Sequence, residues 1–124
     1  MSKVLIRRLE SEPEFLAGDH TLLKELLHPA KSWVKLGYSL AHARVRPEAR
    51  SKRHRLGSSE VYDFLAWTGV LMVDEKVIDV ERGTVAYVPP HAVQSLENTG
   101  TIDIEFLCLV DPAWRSEDEE VLEL

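Results

Sequence analysis

From residue 59 onward the chain is a succession of short apolar runs cut by tight turn signals. "SEVYDFLAW", "GVLMV", "KVIDV", "TVAYV", "VQSLEN" and "TIDIEFLCLV" are separated by DE, ERG, PPH and NTG. Runs this short, rich in branched and aromatic residues and bounded by Gly, Pro, Asn and Asp, read as strands joined by close turns. Such a series predicts a sandwich or barrel rather than a parallel α/β sheet, whose strands need long helical crossovers. In the last run Ile102, Ile104, Phe106, Cys108 and Val110 alternate with Asp103 and Glu105, predicting one continuous apolar face with Cys108 in the core.

The first half is less regular. "YSLAHARVRP" alternates as a strand that Pro47 ends. "HTLLKELLHPA" has the local propensity of a short helix stopped by Pro29, and could equally be drafted into a sheet edge. The tail after Pro112 is expected to form a final helical turn, with Trp114 as an apolar anchor and Ser116 as a cap. With 124 residues there is enough chain for one core, so a single domain 1–124 is expected. Its barrel core spans about 38–112, flanked by an N-terminal arm, 1–37, and an acidic tail, 113–124.

Charge is unevenly placed. Residues 1–55 carry twelve of the fifteen Lys and Arg, with Arg44, Arg46, Arg50, Lys52, Arg53 and Arg55 crowded together, while the net charge is -6. No aromatics interleave these basic residues, so nucleic acid is not an expected partner. A solvated basic edge is the plain reading. The alternative is an acidic partner segment, and the obvious one is the chain's own tail, SEDEEVLEL. No apolar run reaches membrane-spanning length and the start lacks a signal-peptide pattern, so a cytoplasmic protein without a membrane partner is expected. The single cysteine fits a reducing compartment.

Two ordered spacings carry the chemistry. In the first, Glu48 is followed by His54, Leu56, Glu60 and Trp67; in the second, Gly83 is followed by Pro89, His91, Gln94 and Asn98. This resembles the cupin family, whose motifs read G-x5-H-x-H-x3-4-E-x6-G and G-x5-P-x-G-x2-H-x3-N. His54, Glu60, Gly83, Pro89 and Asn98 match. Leu56 and Gln94 stand at histidine positions, and Glu48, Trp67 and His91 at glycine positions. The resemblance implies an all-β double-stranded β-helix, a jelly-roll barrel with minor helical segments. It also implies a divalent transition metal (Fe, Mn, Ni or Zn) held by His54, Glu60 and Gln94.

One imidazole, one carboxylate and one amide oxygen would leave such a metal with residual positive charge, favouring anionic or oxygen-chelating substrates. His42 is a candidate replacement for the ligand lost at Leu56. Against that, alternation of Ala41, Ala43 and Val45 toward the core would turn His42 outward. His91 is expected to be an exposed turn residue, and His20 and His28 surface residues. If Glu60 points into the barrel, Tyr62 follows it, either orienting a substrate oxygen or packing with its hydroxyl at the rim. Trp67 is expected to cover an apolar surface, such as a subunit contact. The implied function is a metal-dependent enzyme acting on a small oxygen-rich substrate, sugar-like or an organic acid. The alternative is a non-catalytic sugar- or carboxylate-binding module that has lost part of its metal site. A homodimer formed through sheet edges and the N-terminal segment would cover otherwise open strands.

Overall fold

A computed structural model describes residues 2–123. Eleven strands form two antiparallel sheets: β1 (Phe15–Leu16), β2 (Leu22–Leu27), β3 (Ser39–Val45), β4 (His54–Leu56), β5 (Ser59–Ala66), β6 (Thr68–Val73), β7 (Lys76–Glu81), β8 (Val85–Val88), β9 (Gln94–Asn98), β10 (Ile104–Asp111) and β11 (Glu119–Val121). One sheet has the order β1-β2-β3-β10-β5-β8, the other β11-β4-β9-β6-β7. Helical structure is limited to the 3-10 turns Leu9–Ser11 and Ser116–Asp118. This is an all-β barrel, as the strand pattern predicts, in the jelly-roll form that the cupin resemblance implies. No helix among the described residues is long and apolar enough to cross a membrane.

Period-two alternation places the core between the sheets. Ala43, Phe106 and Phe64 share one face of three paired strands, and so do Ala41, Cys108 and Tyr62. From the facing sheet Leu71, Val80 and Leu96 meet them in one buried cluster. The larger of these, such as Phe64, Leu71, Leu96 and Phe106, each contribute about 1.5–3 kcal/mol on burial, which makes register costly to change: a one-residue slip would turn this whole set to solvent. Ile102 falls outside the apolar face expected for it. It is 50% exposed, because β10 starts only at Ile104 and the preceding loop is tied to Asn98, whose Nδ2 donates to the Ile102 carbonyl (2.8 Å).

Both flanks of the 38–112 stretch join the sheets. "LLKELL" is strand β2, paired along β3, rather than a helix. Its leucines alternate with Lys24 and Glu25 too irregularly to decide the matter locally, and pairing with β3 settles it. The tail makes one 3-10 turn and then strand β11 against β4, instead of a capped helical turn. That strand is clamped by the basic loop. Arg50 forms a two-pronged pair with Glu123 (2.5 and 2.9 Å), the Arg53 amide donates to Glu123 (2.7 Å), and Arg55 meets Glu120 (3.0 Å). The acidic partner of this part of the basic edge is therefore the chain's own tail.

The three residues at motif glycine positions keep the glycine conformation. Glu48, Trp67 and His91 have φ of 66°, 71° and 69°, in the left-handed region that side chains with a Cβ rarely occupy. Trp67 lies with its indole against Gly100, where no side chain competes for the space.

Candidate metal centre and cavity

A cavity of about 210 Å³ opens between the sheets. Its polar wall is assembled from three parts of the chain. His54, on β4, is held by β9 on one side and β11 on the other through pairing with Gln94 and Val121. Its Nδ1 lies 2.7 Å from the Lys52 carbonyl, which can only accept, so Nδ1 carries the proton and donates. In the neutral ring, Nε2 then turns an unprotonated nitrogen toward the cavity.

Asp19 occupies the tip of the β1–β2 connection. Its Oδ1 accepts from the Thr21 amide (3.1 Å) and hydroxyl (2.8 Å), leaving Oδ2 to face His54 Nε2 at 3.4 Å. Glu119 opens β11 opposite Leu56, and its carboxylate lies against Gly18. One donor atom each from Asp19, His54 and Glu119 falls within 4.8 Å of the other two. Burial raises the Glu119 carboxyl above its ordinary range, and the Asp19 charge adds to it.

Glu60, on β5, is fully buried behind this group. Burial pushes its carboxyl up to about 7; the His54 charge opposes that rise, Asp19 reinforces it, the Gln94 hydrogen bond opposes it, and Glu119 reinforces it. Gln94 Nε2 donates to Glu60 Oε1 (3.1 Å), and the Tyr62 hydroxyl donates to Gln94 Oε1. The result is a fixed chain of three groups, Tyr62 to Gln94 to Glu60. Burial also pushes the Tyr62 phenol well above its ordinary range, with the Glu60 charge adding to it, so it serves as a donor. The Tyr62 ring packs 5.2 Å from Phe106 and 5.6 Å from Phe64.

The residues singled out in the sequence divide as follows. His54, Glu60 and Tyr62 line the cavity together, with Leu56 beside them. Gln94 stands behind Glu60 and Tyr62; its carbonyl oxygen, the atom a metal would use, is taken up by the tyrosine hydroxyl. His42 is on the other face of the sheet. It pairs with Leu107 and is itself buried there, while its neighbours Ala41 and Ala43 line the cavity, and its Nε2 donates to Glu105 (3.0 Å). The space at Leu56 is thus closed to it. His91 and His20 are exposed, whereas His28 is buried, with Nε2 donating to the Trp114 carbonyl (2.7 Å) and Nδ1 accepting from the Ala30 amide (3.0 Å).

Asp19 and Glu119 are not marked as ligands by any sequence pattern. Neither lies in a motif, and each reaches His54 only through long-range pairing: the β1–β2 hairpin onto β3, and β11 onto β4. The one available signal was the charge complementarity between the basic stretch and the acidic tail, which brings β11 to this end of the barrel.

No protein-family model matches the chain. Over 122 residues it is 29% identical to the uncharacterized protein MJ1618 of Methanocaldococcus jannaschii, spanning 98% of this chain and 97% of that protein. Among solved structures it resembles a predicted oxalate decarboxylase from Thermotoga maritima (TM-score 0.77, 21% identity, 87% of this chain and 99% of that one). It equally resembles a cupin 2 conserved barrel domain protein from Salinispora arenicola (TM-score 0.77, 17% identity, 94% and 92%). Strand order, the positive-φ turns at the motif positions and these likenesses define the class: the chain has the cupin fold. Within that class it is a small, single-barrel form.

Proposed function

We propose that this protein is a metal-binding cupin in which Asp19, His54 and Glu119 hold a divalent first-row metal, Fe, Mn, Ni or Zn, and that it acts as an enzyme on a small oxygen-bearing substrate. The observation that carries the reading is the convergence of Asp19, His54 and Glu119 donor atoms within 4.8 Å on the cavity wall. The donors fit the ion. Ligand atoms at about 2.0–2.2 Å from a common centre lie within such separations of one another, and one nitrogen with two carboxylate oxygens suits these metals. Two carboxylates facing a single imidazole are also crowded without a cation; the Glu119 carboxyl is raised by burial first, and the Asp19 charge adds to that. Three protein ligands leave positions for water or substrate, and a metal bound there supplies a Lewis acid that polarises a substrate oxygen.

The remaining groups have roles that this chain can perform itself. Glu60, poised near neutrality at about 7, can hold or release a proton inside the cavity. The Gln94 amide, fixed by Tyr62, keeps the Glu60 carboxyl in one orientation. In this reading Glu60 and Gln94 act beside the metal, which their hydrogen bonds to one another and to Tyr62 support. The solved structures likened to this chain include a predicted oxalate decarboxylase, which supports enzyme chemistry on a small oxygen-rich molecule in this fold.

The second reading is a binding module without catalysis. Leu56, at a motif histidine position, puts a hydrocarbon wall into the cavity, and Gln94 has both ends of its amide engaged. A homodimer is favoured by apolar side chains left on the open edge strand β8, where Val85 and Tyr87 are 65% and 63% exposed. A cytoplasmic setting accords with Cys108, the single cysteine, being buried and unpaired.

The deciding experiment is elemental analysis of protein purified without chelator, repeated on Asp19→Ala, His54→Ala and Glu119→Ala. Near-stoichiometric metal in the parent and its loss in all three variants is expected. Substoichiometric metal indifferent to the substitutions would overturn the metal reading.

A further inference from the structure

We infer that the cavity selects a neutral or cationic ligand with a ring-sized apolar body and hydrogen-bond donors, and discriminates against small carboxylates. The inference deepens the proposed function, and rests on it for the charge of the loaded site.

A divalent ion held by two carboxylates and a neutral imidazole carries no net charge. Glu60 adds a negative charge whenever it ionises, and faces the same cavity. Among the described residues, the remaining cation on the lining is Lys31, whose ammonium lies 2.8 Å from Glu25 and whose side chain is 63% exposed. No arginine lines the cavity. An entering carboxylate would find the one cation deep in the cavity, the metal, already neutralised by Asp19 and Glu119, with the Glu60 carboxyl facing it and no arginine beside it, so it would recover little of the hydration it gives up. A His54, Glu60 and Gln94 set would leave the metal with residual positive charge; with Asp19 and Glu119 as the proposed ligands that charge is neutralised. What the lining does offer is acceptors, Asp19, Glu60 and Glu119, suited to hydroxyl or ammonium donors.

Size and walls define the rest of the ligand. An apolar cavity of about 150 Å³ takes up a benzene ring, so about 210 Å³ accommodates one substituted ring. Leu23, Leu56, Leu96 and Phe106 provide an apolar wall, with the Tyr62 ring beside Phe106 at 5.2 Å. A flat ring can pack there by offset stacking while its polar substituent reaches the acids.

The test uses three probes of matched shape, tyramine (cationic), tyrosol (neutral) and para-hydroxyphenylacetate (anionic), with oxalate as a small dicarboxylate. Each is titrated calorimetrically into zinc-loaded and into chelator-stripped protein at pH above the Glu60 transition. Tyrosol and tyramine are expected to bind at least about tenfold more tightly than either carboxylate, with tyramine gaining most in the stripped protein, where the acids are uncompensated. Ala41→Leu, which narrows the cavity wall, should weaken the ring probes and leave zinc binding unchanged. A carboxylate binding as tightly as tyrosol, failure of all three ring probes at millimolar concentration, or ring binding indifferent to Ala41→Leu would each overturn the inference. If zinc does not bind but the order of probes holds, the metal reading falls and the ligand class stands.

Discussion

The carbonyl of Asp19 accepts a hydrogen bond from the amide of Lys52 at 2.7 Å, and the carbonyl of Lys52 accepts one from His54 Nδ1, also at 2.7 Å. One backbone unit thus sets the distance between two candidate ligands contributed by different parts of the chain. Because both contacts are to the main chain of Lys52, its side-chain identity is unimportant to them. The aspartate and histidine side chains themselves are not replaceable in this way.

Metal should stabilise the fold measurably. Zinc added to stripped protein at a free concentration a hundred times its dissociation constant is expected to raise unfolding free energy by about 2.7 kcal/mol. Thermal denaturation with and without zinc reads this directly. His54→Ala and Asp19→Asn should abolish the increment, whereas Glu105→Gln, near His42 on the opposite face, should retain it.

Glu60 makes stability depend on pH in a stated direction. Its folded value of about 7 lies above its ordinary 4.5, so the folded state holds the proton more tightly than the unfolded chain. The stability that Glu60 contributes is therefore fully present below about 4.5, is lost as pH rises toward 7, and is absent above that, a difference of up to about 3 kcal/mol. Glu60→Gln removes the term. In urea titrations of stripped protein the variant should be more stable than the parent at pH 8 and nearly equal to it at pH 4. A variant less stable at pH 8 would show that Glu60 is held by a favourable charge partner there.

The tail clamp should tune the metal site without contributing much to global stability. The Glu123 carboxyl is pulled down to about 2 by Arg50 first and by the Arg53 amide, so the clamp holds above the ordinary value of 4.5 and loosens as pH falls toward 2. Arg50→Ala frees the end of β11 and with it Glu119, four residues earlier. Zinc affinity should fall by about tenfold, as for other contacts that orient a ligand from behind, with little change in the denaturation midpoint, because the ion pair is exposed and screened. High salt should reproduce part of the affinity loss in the parent protein.

The left-handed turns give a test in which the family residue is restored. At Glu48 the side chain is exposed and φ is 66°, so Glu48→Gly relieves a penalty of about 1 kcal/mol while adding freedom to the unfolded chain. The two nearly cancel, and a midpoint within about 0.5 kcal/mol of the parent is expected from denaturant titration. Trp67→Gly should instead destabilise, because it also removes the indole seated on Gly100.

How far such a site can be read from a sequence depends on how local its determinants are. Strands β3 and β5 through β10 were legible because alternation and turn residues act over a few positions. His54 and Glu60 were legible because motif spacing places them on consecutive strands, β4 and β5, one in each sheet, and Tyr62 because it alternates with Glu60 along β5. The segment "LLKELL" was ambiguous since its propensity and its partner strand disagree, and only pairing with β3 decides between them. Gln94 occupies its expected place, yet whether its oxygen is free depends on the Tyr62 hydroxyl, a contact between side chains thirty-two positions apart. Asp19 and Glu119 were out of reach for the same reason: a hairpin tip and a terminal strand meet at His54 only in three dimensions.

That meeting orders events in time. Asp19 is synthesised early and Glu119 a hundred residues later, so the two acids face His54 only after β11 has left the ribosome and zipped onto β4. Metal uptake at the proposed site would then report that β11 is in place: a chain cut short or nicked before residue 119 could close most of the barrel and still remain metal-poor.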